Sequence, residues 1–258
     1  MGSCHMNVEK LKNSCRKRFR SFYNFFVDLK KPKTSLSTDL PGFNVIKQQS
    51  RRRTAMNEHL ETLFLESLAL QPRLIVELGV AKGESTQVFF QVAKLCGATL
   101  VSVDLNDCSR ALDWEEWNFI QRDDIEFAQE FESWCRERQI NPVIDVLFID
   151  TSHYFDHTLE EIRAYFPFLA DHAKVFFHDT NLGTFIFRKD GSVDLGWDND
   201  RGVIRALEVH FNRTFPEKEE FVDFVTPWVI KHSPHCCGLT VLEKLSHLFP
   251  GSASDRPA

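Results

Sequence analysis

The chain has 258 residues, 43% of them hydrophobic, which suits one large domain or one domain with a helical extension. No apolar run approaches the roughly 20 residues of a membrane-spanning helix, and no apolar segment of the kind found in signal peptides follows the charged N-terminus. The net charge of −6 disfavours nucleic acid as a partner, and seven scattered cysteines favour a reducing, cytoplasmic setting over a disulfide framework.

The N-terminal 53 residues differ in charge from the rest of the chain. They hold 13 Lys and Arg against three acidic residues, a net charge of +10, so the other 205 residues carry −16. Residues 7–30 predict a helix with an apolar stripe, residues 31–50 an irregular connector, and residues 1–6 resemble an expression remnant. This basic extension, residues 1–53, either packs on its own acidic domain or a second copy of the chain, or binds an acidic partner, a membrane surface or nucleic acid.

Residues 54–248 predict one α/β domain. A helix that Thr54 can cap precedes short apolar runs that alternate with amphipathic segments, which is typical of βαβ units and a parallel sheet. The expected strands are residues 74–78, 99–104, 118–121, 144–149 and 174–177, and the expected helices between them are 85–95, 125–138 and 157–168. The remaining segments are a loop at 181–201, a helix at 203–211, β-prone runs at 221–229 and 238–242, and a tail at 249–258.

The first expected strand runs into a glycine-containing loop, ELGVAKGEST, which begins at Glu77. Gly79 and Gly83 allow a tight turn close to a ligand, and Ser85 can cap the next helix. The Gly-x-x-x-Gly spacing differs from the Gly-x-Gly-x-x-Gly loop of dinucleotide-binding proteins. A carboxylate at Glu77 would repel a pyrophosphate but attract the amino group of S-adenosylmethionine. Asp104 ends the second strand, where it can accept hydrogen bonds from both hydroxyls of a ribose, so this pattern favours S-adenosylmethionine over NAD.

Two polar clusters follow the fourth and fifth expected strands. Asp150 and His153 come after the fourth strand, and His178 and Asp179 come after the fifth. Because the carboxyl ends of parallel strands meet at one edge of a sheet, we expect these four side chains at one rim. Burying them together is costly unless they are hydrogen-bonded, share protons or hold a metal ion.

At Glu77, the glycine loop and Asp104, the chain resembles the class I S-adenosylmethionine-dependent methyltransferases. The resemblance covers roughly residues 60–245. The resemblance implies a Rossmann-like, seven-stranded, mostly parallel sheet of order 3-2-1-4-5-7-6, with helices on both faces, an antiparallel last strand and the N-terminal helical extension. The cofactor contacts that it implies are Glu77, Gly79, Gly83, Ser85, Asp104, Asp124 and Asp150. Asp123 is an equal alternative to Asp124 for contacting adenine, and either residue can instead begin a helix.

The two polar clusters are similar to one branch of this family, which includes catechol-type and sugar O-methyltransferases and the cephalosporin-hydroxylase-like proteins. The resemblance implies a divalent metal ion, such as Mg²⁺, held by Asp150, His178 and Asp179, with His153 as general base. His178 stands where the branch has an acidic residue. Since Mg²⁺ prefers oxygen ligands, an imidazole there suits a transition metal better, or no metal at all.

The expected enzyme is therefore an O-methyltransferase that acts on a hydroxyl of a small molecule, such as a sugar or a natural-product scaffold. Trp114, Trp117 and residues 194–200 are candidates to close over this acceptor, and the other histidines, His157 among them, are interpreted as surface or packing residues. The change at His178 leaves two alternatives open. They are a non-methylating enzyme of the cephalosporin-hydroxylase-like kind and a scaffold protein that keeps only the cofactor pocket.

Overall fold

The computed structural model describes residues 39–248 and, from the basic extension, Arg16, Lys17, Arg20, Ser21 and Asn24. Most of the predicted extension helix lies outside the described residues, as do the first six residues and the tail at 249–258. The division of the chain at residues 53 and 248 therefore stays a prediction. Within the described part of the chain, no helix is long and apolar enough to cross a membrane.

Two helices precede the sheet, α1 at Pro41–Gln49 and α2 at Leu60–Leu70. Helix α1 lies where the sequence predicted an irregular connector. Proline is tolerated at the start of a helix, because an N–H in the first turn would have no partner within the helix. Further along α1, Ile46 is fully buried. The prediction that Thr54 caps α2 was wrong, because the helix begins at Leu60 and its N-cap is His59.

An eight-stranded sheet forms the centre of the protein. Its strands are β1 (Leu74–Leu78), β2 (Thr99–Asp104), β3 (Asn118–Gln121), β4 (Ile144–Ile149), β5 (Leu169–His178), β8 (Phe221–Val225), β9 (Trp228–Ser233) and β10 (Leu239–Lys244). Their order is β3-β2-β1-β4-β5-β10-β9-β8. Strands β1 to β5 are parallel, whereas β10, β9 and β8 each run antiparallel to the preceding neighbour.

The predicted count of seven strands was wrong. The run 221–229 was interpreted as one strand, but a turn at Thr226 and Pro227 divides it into β8 and β9. Proline has no N–H to donate to a strand ladder, so it marks the break. Strand β8 consequently adds an eighth strand at the edge of the sheet.

A second difference from the prediction lies between β5 and the helix that follows it. The segment 181–201, expected as a loop, contains a separate antiparallel hairpin of β6 (Phe185–Phe187) and β7 (Val193–Leu195). Each strand has only three residues, which is too short for an alternating pattern to be recognised.

Helices cover both faces of the sheet. The remaining helices are α3 (Glu84–Cys96), α4 (Asp124–Glu137), α5 (Phe155–Tyr165) and α6 (Gly202–Phe211), with short 3₁₀ turns at Phe166–Phe168 and Ser246–Leu248. One hydrophobic cluster packs α4, α5 and α6 against the sheet, and another packs α1, α2 and α3 against it. All five residues of β1 are buried, as expected for a parallel strand that is covered on both sides.

Arg20 and Asn24 of the basic extension contact the β6–β7 hairpin. Arg20 Nη1 lies 2.5 Å from Asp194 Oδ1. The Asn24 side chain donates to the carbonyl of Val193 at 2.7 Å and accepts from its N–H at 2.8 Å. These contacts correspond to the alternative in which the extension packs on its own acidic domain.

Candidate functional site

The glycine loop and the four ionisable residues meet at the carboxyl edge of the parallel strands. They border one cavity of about 950 Å³, which is in the size range of small-molecule sites. The loop after β1 and Asp104 form one part of its wall. Asp150, His153 and Asp179 form another part. Most of the residues on which the sequence predictions depend therefore share one cavity, whereas Glu77 and Gly83 do not line it.

Gly79 and Gly83 give the loop between β1 and α3 its shape. Both have positive φ angles, +88° and +78°. A Cβ atom on Gly79 would lie 2.1 Å from the carbonyl oxygen of Asp150, and one on Gly83 would lie 2.9 Å from Ala111 Cβ. Only glycine fits these positions without a backbone shift. Gly79 lines the cavity, whereas Gly83 packs against Ala111.

Asp104 fastens the glycine loop to the end of β2. Its Oδ2 accepts hydrogen bonds from the N–H groups of Val80 at 2.9 Å and Ala81 at 3.1 Å, and its Oδ1 accepts from the N–H of Asn106 at 2.8 Å. Burial alone would raise the pKa of Asp104, but the three backbone donors outweigh it and lower this pKa. Asp104 is therefore a carboxylate on the cavity wall, with the acceptor chemistry that a ribose needs.

Glu77 lies beneath the loop and is fully buried. Its Oε1 accepts hydrogen bonds from Ser85 Oγ at 2.6 Å and Thr86 Oγ1 at 3.1 Å, and its Oε2 accepts from Ser102 Oγ at 2.6 Å. Burial raises the pKa of Glu77 to about 7, although the three hydroxyl donors reduce this effect. Ser85 lines the cavity and Glu77 does not, so the Glu77 carboxyl can act on a ligand only through such a neighbour.

Replacing Glu77 by Gln is expected to remove one pH-dependent contribution to stability. The pKa of this carboxyl is raised in the folded protein from 4.5 to about 7, so its contribution is complete below pH 4.5 and is lost as the pH rises through 7. As the pH rises, we expect the free energy of unfolding of wild type to fall by about 3 kcal/mol through this group, and that of E77Q not to show this fall. Chemical denaturation at a series of pH values measures the difference. Glu137→Gln, at a side chain that is 73% exposed, is the control, and parallel profiles for wild type and E77Q would contradict the prediction.

Asp123 and Asp124 have different roles at the start of α4. Asp123 is the helix N-cap, since its Oδ1 accepts from the N–H groups of Ile125 and Glu126, both at 3.0 Å. Asp124 is buried, and its Oδ1 lies 3.1 Å from His157 Nε2. Both aspartates line the cavity, so the adenine contact stays a prediction for Asp124, with Asp123 as its alternative.

His157 is a cavity residue that the sequence analysis missed. Its hydrogen bond to Asp124 is the main cause of a raised pKa for this imidazole. On the same helix, the fully buried Glu161 accepts a hydrogen bond from Thr151 Oγ1 at 2.6 Å, and burial holds the pKa of Glu161 well above its usual value. This network links Asp124 to Thr151, which follows Asp150 directly in the chain.

Asp150, His153, His178 and Asp179 form one group of side chains in contact, here called the rim cluster. His178 Nδ1 lies 3.0 Å from Asp150 Oδ1 and 3.3 Å from Asp179 Oδ1. His153 Nδ1 lies 3.0 Å from Asp179 Oδ2 and 3.8 Å from Asp150 Oδ1. The four residues that the sequence placed at one rim are therefore in direct contact.

The charges of the rim cluster act on each other. Burial alone would lower the pKa of His178, but the carboxylates of Asp179 and Asp150 outweigh burial and hold it well above its usual value. In turn, burial would raise the pKa of Asp179, and His178 and His153 lower it instead. The His178 side chain is 3% exposed, whereas that of His153 is 20% exposed, so a ligand in the cavity can reach His153 more readily.

Two residues of the rim cluster have a strained backbone. His153 and Asp179 have φ angles of +61° and +57°, in the left-handed region that residues other than glycine rarely adopt. Such a conformation costs about 1–3 kcal/mol and persists where the surrounding structure holds it, often at functional sites. Eight further described residues other than glycine share this region, among them Gln71 and Asn212 at helix ends, so the strain is not specific to the rim cluster.

The apolar part of the cavity wall was largely missed by the sequence analysis. Its members come from the segment before α2 and from the region around the hairpin: Met56, Leu182, Ile186, Leu195 and Trp197. The Trp197 and His153 rings are 6.0 Å apart between centroids. Residues 195–197 lie in the segment expected to cover the acceptor, whereas Trp114 packs on Phe90 and Trp117 donates to Ser102 Oγ.

The region that contains the site matches a known protein family. Residues 76–180 match a family described as "Methyltransferase domain". These residues include the glycine loop, Asp104 and the whole rim cluster. A comparison with curated proteins found no match.

Solved structures with the same fold include three with a TM-score of 0.50. MycE methyltransferase from the mycinamycin biosynthetic pathway, in complex with Mg, SAH and mycinamycin VI, is 16% identical over 86% of this chain and 58% of its own. An O-methyltransferase from Bacillus cereus in complex with SAH is 13% identical, and the match covers 88% of this chain and 99% of its own. A cofactor-bound protein from MTB is 15% identical, and the match covers 86% of this chain and 95% of its own. This chain spans only 40% of MycE in another of its structures, and at these identities the likeness shows the fold.

Proposed function

We propose that this chain, which carries an S-adenosylmethionine-dependent methyltransferase domain over residues 76–180, transfers the methyl group to a hydroxyl of a small molecule. The observation that carries the proposal is the sharing of one cavity by the glycine loop, Asp104 and the His153–Asp179 pair. The loop and Asp104 offer contacts for a cofactor, and the pair offers a proton acceptor for an alcohol. Both functions are needed for O-methylation.

The charge of the cavity wall supports S-adenosylmethionine as the cofactor. Six acidic residues line the cavity, against three Lys and Arg residues and three histidines, so the wall offers carboxylates to a sulfonium cation. Asp104 would hold the ribose, Gly79 and Ser85 the methionine end, and Asp124 the adenine, with Asp150 beside them. When bound, S-adenosylmethionine supplies an electrophilic methyl group on an excellent leaving group.

His153 is the proposed general base. Asp179 Oδ2, 3.0 Å from His153 Nδ1, would hold a hydrogen on that nitrogen and fix the orientation of the ring. The other ring nitrogen, Nε2, is then left to accept the proton of the acceptor hydroxyl. The apolar wall around Trp197 would hold the acceptor, and alignment of two reactants can lower the barrier by about 7–11 kcal/mol. Leu182 and Ile186 favour an acceptor with an apolar body, such as a natural-product scaffold, over a free sugar.

The divalent metal ion implied by the resemblance fits the rim cluster poorly. Asp150, His153 and Asp179 each offer a ligand atom within 4.8 Å of the others. However, His178 Nδ1 faces one oxygen of each carboxylate. That nitrogen carries a hydrogen, because a lone pair directed at two carboxylates would be repelled, and an N–H there competes with a cation for the same oxygens. The proposed proton transfer therefore uses no metal ion, and His178 is not a metal ligand in it.

The test is incubation of the protein with methyl-labelled S-adenosylmethionine and a panel of hydroxyl compounds that range from sugars to apolar polycyclic alcohols. We expect S-adenosylhomocysteine and a methyl ether to form in equal amounts, as measured by mass spectrometry. A changed acceptor with intact S-adenosylmethionine would instead support a non-methylating enzyme. Cofactor binding without turnover of any acceptor would support the scaffold alternative.

A further inference from the structure

His178 has no part in the proton transfer described above, although it lies at the centre of the rim cluster. Its side chain is 3% exposed and lies between the carboxylates of Asp150 and Asp179. Two carboxylates so close together repel each other unless a cation or a hydrogen-bond donor lies between them. In the family branch that the chain resembles, an acidic residue stands at the position of His178 and a metal ion binds this site.

We propose that His178 takes the place of the divalent cation, so that its Nδ1–H holds Asp150 and Asp179 together and methyl transfer needs no metal ion. This inference rests on the proposed function, since it concerns the same site. It is a positioning role: His178 acts on the acceptor through the two carboxylates and through His153.

The contacts of the carboxylate oxygens show why an ion and His178 exclude each other. His178 Nδ1 contacts Oδ1 of Asp150 and Oδ1 of Asp179, and His153 Nδ1 contacts Oδ2 of Asp179. Three of the four carboxylate oxygens therefore already face a ring nitrogen. Mg²⁺ binds about six oxygen ligands, so it would have to displace these contacts to enter.

The surroundings of His178 direct its bonding toward the carboxylates. Its Nε2 is buried and has no hydrogen-bond partner among the described residues, so the bonded nitrogen is the one between Asp150 and Asp179. The neighbouring His59 ring is also buried, 5.7 Å away between ring centroids, and its Nε2 lies 2.9 Å from the carbonyl of His235. Burial lowers the pKa of His59 to about 3, so His59 adds no second cation.

The test is to replace His178 by the acidic residue that the related branch has at this position. His178→Asp adds oxygen ligands and removes the Nδ1–H, and we expect this variant to gain one Mn²⁺ site at least about tenfold tighter than any site in wild type. Paramagnetic resonance of free Mn²⁺ and titration calorimetry with Mg²⁺ measure binding directly. The thermal midpoint of His178→Asp should rise with added Mg²⁺, whereas that of wild type should stay constant.

His172→Asp is the matched control. His172 lies on the same strand, and its Nε2 is 3.2 Å from the buried Asp145, so that variant also places an acid beside an acid. His178→Asn, which offers an oxygen without a charge, is the second variant if His178→Asp does not fold. The proposal is overturned if wild type binds one Mn²⁺ that Asp150→Asn or Asp179→Asn abolishes, or if neither His178 variant gains a site. Since metal binding is read without turnover, a failure of the methyl-transfer assay leaves this test intact.

Discussion

Replacing His153 by Ala is expected to lower the rate of methyl transfer by about 10²–10⁴-fold, the usual contribution of a general base. The ring pairs with Asp179 through Nδ1 and borders the cavity, so its loss removes a proton acceptor and leaves the glycine loop and Asp104 intact. The affinity for S-adenosylmethionine should therefore be unchanged. Single-turnover rates and titration calorimetry separate the two effects.

The control for this variant is His172→Ala. His172 is 45% exposed, lies on β5 outside the cavity wall, and also contacts a carboxylate. Its replacement should leave the rate unchanged. An unchanged rate in His153→Ala would exclude His153 as the base, and a loss of cofactor binding in that variant would contradict the prediction that the cofactor site does not depend on this ring.

Replacing Gly79 by Ala is expected to abolish cofactor binding and to lower the free energy of unfolding by roughly 2–6 kcal/mol, the sum of backbone strain and overpacking. The new Cβ atom would lie 2.1 Å from the carbonyl oxygen of Asp150, at a φ angle of +88°. Relief of that clash requires the loop after β1 to separate from the segment after β4. Both segments border the cavity, so its geometry would change with them.

Gly97→Ala provides a matched control for Gly79→Ala. Gly97 also has a positive φ angle, +68°, but its Cβ would meet no atom within 4 Å. The two variants share backbone strain, and only Gly79→Ala adds the clash. Equal stability and equal cofactor affinity in the two variants would show that the close approach of Gly79 to Asp150 has no importance for the site.

The parallel half of the sheet was predictable because its strands are buried on both faces. Strands β1 to β4 have the bounds expected from their apolar runs. At the predicted rim, Asp104 ends β2, and Asp150 and Asp179 follow β4 and β5. The antiparallel half was less predictable. Strands β8 and β9 are joined by a two-residue turn inside one β-prone run, and β6 and β7 are too short to show a period. Helix α1 was missed because Pro41 indicates both a helix start and an irregular connector.

The site was predictable where strand ends converge and unpredictable where distant segments meet. Asp150, His153, His178 and Asp179 follow neighbouring strands, so topology alone brought them together. His157 was missed because its partner, Asp124, lies 33 residues away in the chain and only the packing of α4 against α5 joins them.

The burial of Glu77 could not be read from the sequence either. The buried carboxyl accepts a hydrogen bond from the hydroxyl of Ser102, which lies on the adjacent strand β2. Sequence spacing identified the loop that Glu77 precedes, but the position of its carboxyl relative to the cavity is a property of the packed sheet.

Titration calorimetry of S-adenosylmethionine on wild type and Asp104→Ala tests the central claim most directly. Asp107→Ala, at an exposed carboxylate three residues further along the chain, serves as the control, and circular dichroism confirms that each variant is folded. We expect wild type and Asp107→Ala to bind with a dissociation constant of about 1 μM, near −8 kcal/mol, and Asp104→Ala to bind at least about tenfold more weakly. If wild type does not bind S-adenosylmethionine, or if Asp104→Ala binds it as tightly as wild type, the assignment of the glycine loop and Asp104 as a cofactor site is contradicted.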